Sequence, residues 1–280
     1  MALFTPFAFY GGVSAPAPPP SYDPDAAAFF AAVTGSGDVL TPTEKNAVND
    51  LVVGLKADGI WGKFQALYPF VGGTATAHKW NLMDPQDTNA AFRITWYGGW
   101  THSVNGVEGN GTNTGGLTYY RPTTHATLND FHWSFYVNGG TDTTVADYDF
   151  GGFAASNDWI LTMAYNNASA PFTHYVNFNG FGYQSIPQST ARGMLIGLQD
   201  PSATNTTQMY KNATRIINNS QTQNNVNQDL GLGCSWRGSA TDPSARRFAL
   251  ASIGYGLDTV EAPNFYNRVQ TFQTALGRQV

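Results

Sequence analysis

LYPFVGGTATAHKWNLMDPQDTNAAFRITWYGGWTHSVNGVEGNGTNTGGLTYYRP, residues 67–122, is where the hydrophobic period changes from about 3.6 residues to 2. Upstream, apolar side chains recur at helical spacing. Within the stretch, Phe92, Ile94 and Trp96 alternate with Arg93, Thr95 and Tyr97, and a loop rich in Gly and Asn leads to a second short aromatic strand around Tyr119 and Tyr120. The chain therefore reads as helix before this stretch and as sheet after it.

Toward the N-terminus, Asp23 and Pro24 supply an N-cap and a first helical residue for a short Ala/Phe helix ending near Val33. Thr41-Pro42-Thr43-Glu44 is a capping box, and Val48, Leu51, Val52 and Leu55 form the apolar stripe behind it. Trp61, Phe64 and Leu67 continue the helical spacing to Pro69, so residues 23–70 read as a helical segment whose apolar face rests on the sheet. Residues 1–22 precede it as an extended, Pro-rich arm bearing Phe4, Phe7, Phe9 and Tyr10. Four aromatic side chains are costly to leave in water, so the arm is expected to dock on a partner surface or on copies of the same chain in a homo-oligomer.

Toward the C-terminus, roughly eleven short runs such as FHWSFYVN, DWILTMAY, RGMLIGLQD and RRFALASIG are separated by clusters of Gly, Asn, Asp, Ser and Pro. This is the pattern of a mainly β, two-sheet antiparallel sandwich, placed at residues 71–280 together with a closing helix. Asn212 marks a hairpin turn in MYKNATRII. Asp258 and Glu261 form a capping pair for the last helix, whose stripe is Phe265, Val269, Phe272 and Leu276, while Pro263 shifts its start beyond Asp258.

Composition supports one substantial core: 280 residues, 14% aromatic and only 12% charged. A net charge of −5 without a basic patch argues against a nucleic-acid partner. The single cysteine, Cys234, excludes an intramolecular disulfide framework and reads as a small core residue. The Asn-x-Ser/Thr triplets at Asn110, Asn167, Asn205 and Asn212 carry no weight in a chain this rich in Asn and Thr. The first basic residue is Lys45, and the apolar run AAAFFAAV is too short to span a bilayer, so neither an export signal nor membrane insertion is expected.

Asp147 and Asp149 flank Tyr148 on a strand and so share a face; they read as a solvated or turn-capping pair, with calcium as a weaker possibility and no other cofactor implied. The five histidines lack metal-binding spacing, and no nucleophile elbow or phosphate loop is present, so no catalytic residue is assigned. Of the seven tryptophans, Trp96, Trp133 and Trp159 fall inside alternating strands and read as core. Trp100, followed by His102 in GGWTH, and Trp236, followed by Arg237, lie near loops and are the candidate glycan contacts, because aromatic platforms beside polar groups are how sandwiches hold sugars.

Two resemblances rest on these motifs. NGTNTGGLTYYRP and the run from MYKNATRII through LGLGCSW and RRFALASIGYGL to DTVEAPNFYNRVQTF resemble the opening strand pair and closing portion of laminin-G-like, or concanavalin-A-like, jelly-roll domains. GIWGKFQALYPFVGGTATAHKWNL, GGWTH and FYNRVQTFQTALGRQV resemble passages of proteins encoded by tailed bacteriophages and prophages. The second resemblance implies a non-catalytic virion protein of the tail, fibre or decoration class, assembled in the host cytoplasm and contacting other virion proteins and host-surface glycan. The alternatives are a free lectin-like carbohydrate-binding module and, less favoured, a glycan-cleaving enzyme on this scaffold. Glycosidases of the concanavalin-A-like kind use paired Glu residues on a short strand, whereas only Glu44, Glu108 and Glu261 occur here.

Overall fold

The computed structural model describes residues 1, 21–141, 147–155, 158–165, 172–177, 184–188, 190–203, 205–221 and 224–280, without the side chains of 155, 158–165, 172, 173, 175, 177 and 188. Phe4, Phe7, Phe9 and Tyr10 of the arm, and the side chain of Trp159, lie outside the described residues.

Two sheets form the sandwich. The first runs in the order Thr214–Ser220, Thr206–Lys211, Gly193–Gln199, Phe131–Gly140, Arg246–Gly254, Gly106–Glu108 and Thr101–Ser103, with Phe64–Tyr68 added on Arg246–Gly254. The second runs Gln184–Gln188, Phe172–Asn177, Asp158–Tyr165, Tyr148–Ala155, Gly231–Leu232, Gly115–Leu117 and Thr95–Tyr97, extended by Ser235–Trp236 and Ala240–Thr241. Most pairings are antiparallel, while Ser235–Trp236 runs parallel to Tyr148–Ala155.

The central strands of the first sheet are buried on both faces, which explains why they read as near-continuous apolar runs. Trp133, Phe135 and Val137 enter the core between the sheets, where they meet Phe150, Leu232 and Phe248. Tyr136, Met194, Ile196 and Leu250 face the other way, into a second core built with the helices. Gly197 lies opposite Trp133 and leaves it room: a Cβ there would sit 2.7 Å from the indole.

Three helices make the outer layer. Pro24–Gly35 is capped by Asp23, and Pro42–Ala57 by the reciprocal Thr41–Glu44 box. Glu44 Oε1 also accepts the Gly72 N–H at 2.8 Å, tying that helix to the chain entering the sandwich. Glu261–Ala275 closes the layer; Asp258 Oδ1 accepts the Glu261 N–H and Glu261 Oε2 the Asp258 N–H, the expected pair. Arg268 forks onto Asp58 with two 2.7 Å bonds, joining the second and last helices. Beyond that helix the buried Arg278 donates to the Phe70, Pro69 and Ala249 carbonyls, fixing the chain end across the sheet.

Several local expectations are corrected. Trp61–Lys63 is a short 3-10 turn and Phe64–Tyr68 a strand, so the helical reading of 61–69 fails. Both faces of that strand are covered, Phe64 and Leu67 by the helices and Ala66 and Tyr68 by the second sheet, and a bulge between Phe64 and Ala66 imitates a helical period. After that strand, Ala75–His78 is a helical turn followed by irregular chain. The strand at Phe92 to Tyr97 shrinks to Thr95–Tyr97, because Phe92 takes the left-handed conformation (φ 56°) at the end of a 3-10 turn. Among the described residues no helix is long and apolar enough to cross a membrane.

Candidate functional site

At the end of the second sheet a cleft of about 320 Å³ is lined by Tyr97, Thr112, Asn113, Trp236, Gly238, Ser239 and Ala240. Its floor comes from two strands remote in sequence. Tyr97 ends Thr95–Tyr97 and pairs with Gly115; Trp236 ends Ser235–Trp236 and pairs with Ala240. Gly115 is what lets them meet, since a Cβ there would press on Ala240 Cβ at 2.6 Å, Cys234 Sγ at 2.9 Å and the Trp236 ring at 3.4 Å. With that position bare, the two rings stand 5.2 Å apart at 49°. Trp236 is anchored beside Leu117 and the buried Cys234, whose thiol burial pushes up to about 12, while Tyr97 remains 43% exposed.

The polar rim is held by backbone-directed bonds. Asn110 Oδ1 accepts the N–H groups of Thr112 (2.9 Å) and Asn113 (3.0 Å), folding NGTN into a compact turn. Asn113 Oδ1 accepts from Asn110 Nδ2 at 2.8 Å and from the Gly99 N–H at 3.3 Å. Gly98 must be glycine here: its φ is +77° and a Cβ would lie 2.1 Å from the Asn113 carbonyl oxygen. Among the described residues nothing bonds the Asn113 Nδ2 group or the Ser239 hydroxyl, and both residues are exposed. Trp236, expected at the surface, is itself only 6% exposed, so the cleft offers the open Tyr97 ring backed by Trp236, and a set of amide and hydroxyl groups.

The sequence-derived candidates divide. Trp236 lines the cleft. Arg237 lies in the bend just after that strand, where its guanidinium covers the Phe153 ring at 4.0 Å and reaches Asp242 at 3.9 Å. Trp100 and His102, expected at the surface, are partly buried. Trp100 lies against Trp96 and Phe248 and over Gly233, where a Cβ would come within 2.5 Å of the ring. His102 stands edge-on to Trp96 and pairs with His78. Trp96, read as core, is only partly buried, and its indole N–H reaches the Ala75 carbonyl at 3.1 Å.

Asp147 and Asp149 are not solvated but gathered about a guanidinium. Both are buried, and Arg246 Nη1 sits between them, 2.8 Å from Asp147 Oδ1 and 2.9 Å from Asp149 Oδ1, with the Ser244 hydroxyl also donating to Asp149. Burial alone would lower the Arg246 pKa, but the two carboxylates outweigh it and hold the guanidinium charged. Among the described residues no group of three or more His, Cys, Asp or Glu side chains could hold a metal ion.

Sequence reasoning missed Tyr97, Thr112, Asn113 and Ser239. The signal was a paired one: NGTN and RGSA are the two loops that flank the two aromatic strand ends.

No protein-family model matches the chain, and no curated protein matches its sequence. Solved structures do match. A mutant of Trypanosoma rangeli sialidase displaying trans-sialidase activity aligns over 80% of this chain and 39% of its own, with a TM-score of 0.53 and 8% identity. Trypanosoma rangeli sialidase in complex with sialic acid aligns over 65% of this chain and 31% of its own, with a TM-score of 0.50 and 9% identity. The Ruminococcus gnavus IT-sialidase CBM40 bound to α2,3-sialyllactose is covered over 94% of its length by 56% of this chain, with a TM-score of 0.40 and 14% identity. The chain therefore spans less than half the length of either Trypanosoma enzyme, and what it shares with them is the fold.

Proposed function

We propose that the chain is a non-catalytic carbohydrate-binding sandwich and that the Tyr97–Trp236 cleft holds the sugar. The carrying observation is the aromatic pair at 5.2 Å beneath a rim of amide and hydroxyl groups. Pyranose rings present C–H-rich faces that pack on aromatic surfaces while their hydroxyls pair with polar groups. A volume of about 320 Å³ lies at the small end of ligand pockets, suited to one or two sugar rings. The cleft lining contains no Asp or Glu to act as general acid or nucleophile, which favours binding over cleavage. Since one fold hosts many functions, this reading rests on the site and not on the sialidase likeness.

A glycan array followed by titration of the best binders tests it. Tyr97→Ala removes an exposed ring and is expected to weaken binding about tenfold or more without lowering thermal stability. Unchanged affinity in that variant overturns the assignment.

The finer reading, display on a tailed-phage particle with residues 1–22 docked on another virion subunit or another copy of the chain, is supported by the sequence resemblance and by the aromatic arm. Deleting residues 1–22 should then leave the sandwich folded and abolish incorporation into particles. Particles carrying the truncated chain at full occupancy would contradict it.

A further inference from the structure

The charge around the cleft narrows the ligand further. Its seven lining residues carry no ionisable group except the Tyr97 phenol. No cation is left to come from outside the described residues, because they include every lysine, arginine and histidine of the sequence. None of them lines the cleft.

Arg237, the basic residue nearest in sequence, is not among the lining residues; from the bend after Trp236 it is stacked on Phe153 and faces Asp242. Turning it toward the cleft would give up both contacts. The next basic residue along the chain, Arg246, is fully buried between Asp147 and Asp149. On the other side, Arg93 is engaged by Asp87, Asn89 and Thr95.

A sugar carboxylate in this cleft would lose hydration without gaining a cation, and Asn113 Nδ2 and the Ser239 hydroxyl are neutral donors. Neutral pyranoses have no such cost. Their hydroxyls are met by the same amide and hydroxyl groups, and their C–H faces by the Tyr97 ring, which Trp236 backs. Building on the carbohydrate reading above, we infer that the site selects uncharged sugars and rejects sialic and uronic acids, although the fold is shared with sialidases.

The test is calorimetric titration of the full chain with matched pairs: neutral oligosaccharides and the same oligosaccharides carrying a terminal sialic acid or an uronic acid in the binding position. The neutral member is expected to bind at least tenfold more tightly, to keep its affinity between 50 and 500 mM NaCl on the order of a factor of two, to lose it in Tyr97→Ala, and to be indifferent to Arg237→Ala. Tighter binding of the acidic member, with salt sensitivity and dependence on Tyr97, overturns the selectivity and leaves the carbohydrate site standing. Binding of neither class at millimolar sugar overturns the carbohydrate reading itself, and this inference with it.

Discussion

The Nδ1 atoms of His78 and His102 lie 3.0 Å apart, so one imidazole must donate to the other and the two cannot both be protonated. Burial holds His78 well below its ordinary range, with His102 and Arg278 adding to the effect, and pushes His102 down to about 4. The pair links the Ala75–His78 turn to the Thr101–Ser103 strand at the entrance to the sandwich. His102→Phe should cost roughly 1–2 kcal/mol by stranding a buried ring nitrogen, and His102→Asn should recover part of it. Denaturant melts of both variants at pH 7.5 check this; equal stability of the two would show that the hydrogen bond contributes nothing.

Acid should destabilise the protein well above the range in which carboxylates titrate. Burial also pushes His132 down to about 4 and His174 to about 3. The unfolded chain titrates near 6.5, so these histidines contribute fully above that pH. Their contribution is lost as pH falls from about 6.5 toward 4, where the unfolded state takes up protons that the folded state refuses. For the fully buried His132 alone the loss between pH 7 and pH 5 is about 2 kcal/mol. Stability measured at both pH values in wild type and His132→Gln checks the slope: it should flatten in the variant, and a wild type equally stable at both would refute the assignment.

Arg246 is the compensating charge for Asp147 and Asp149, and removing it leaves buried carboxylates without a cation. Arg246→Met should cost about 3–5 kcal/mol, and Asp149→Asn in the same chain should restore part of the loss. Because the guanidinium occupies the space between the carboxylates, calcium added to the wild type should leave its melting temperature unchanged. A calcium-dependent rise would return the pair to the status of a metal site.

Gly115→Ala should damage the cleft from beneath. The new methyl group meets Ala240, Cys234 and the Trp236 ring, so the two aromatic strand ends must part. We expect about 1–3 kcal/mol of destabilisation together with lost sugar binding, against Tyr97→Ala, which should lose binding alone. Full binding in Gly115→Ala would mean that the Tyr97–Trp236 geometry is not what holds the ligand.

The elements read best from sequence were those with local, self-contained signals. Thr41-Pro42-Thr43-Glu44 and Asp258 with Glu261 announce helix starts through bonds made within three residues, and both were found. Asn212 sits in the expected hairpin turn at φ 55°, between Thr206–Lys211 and Thr214–Ser220. Phe64–Tyr68 was misread because a strand covered on both faces loses the alternation that identifies strands. The site was half legible. Trp236 carried a signal as an aromatic beside a loop, but Tyr97 looked like the polar side of an alternating strand, and only the pairing through Gly115 brings it to Trp236. Trp100 and His102 carried the same kind of signal as Trp236 and are partly buried against the bare backbone at Gly233 and against His78, partners that the local pattern does not reveal.

The most direct measurement of the central claim is saturation-transfer NMR on the protein with a neutral oligosaccharide drawn from the array. Irradiating aromatic protons should pass saturation to the C–H protons on one face of a single sugar ring, and the transfer should vanish in Tyr97→Ala while the variant's amide spectrum stays folded. Transfer that persists undiminished in Tyr97→Ala, or its absence with every oligosaccharide tried, would contradict a carbohydrate site at Tyr97 and Trp236.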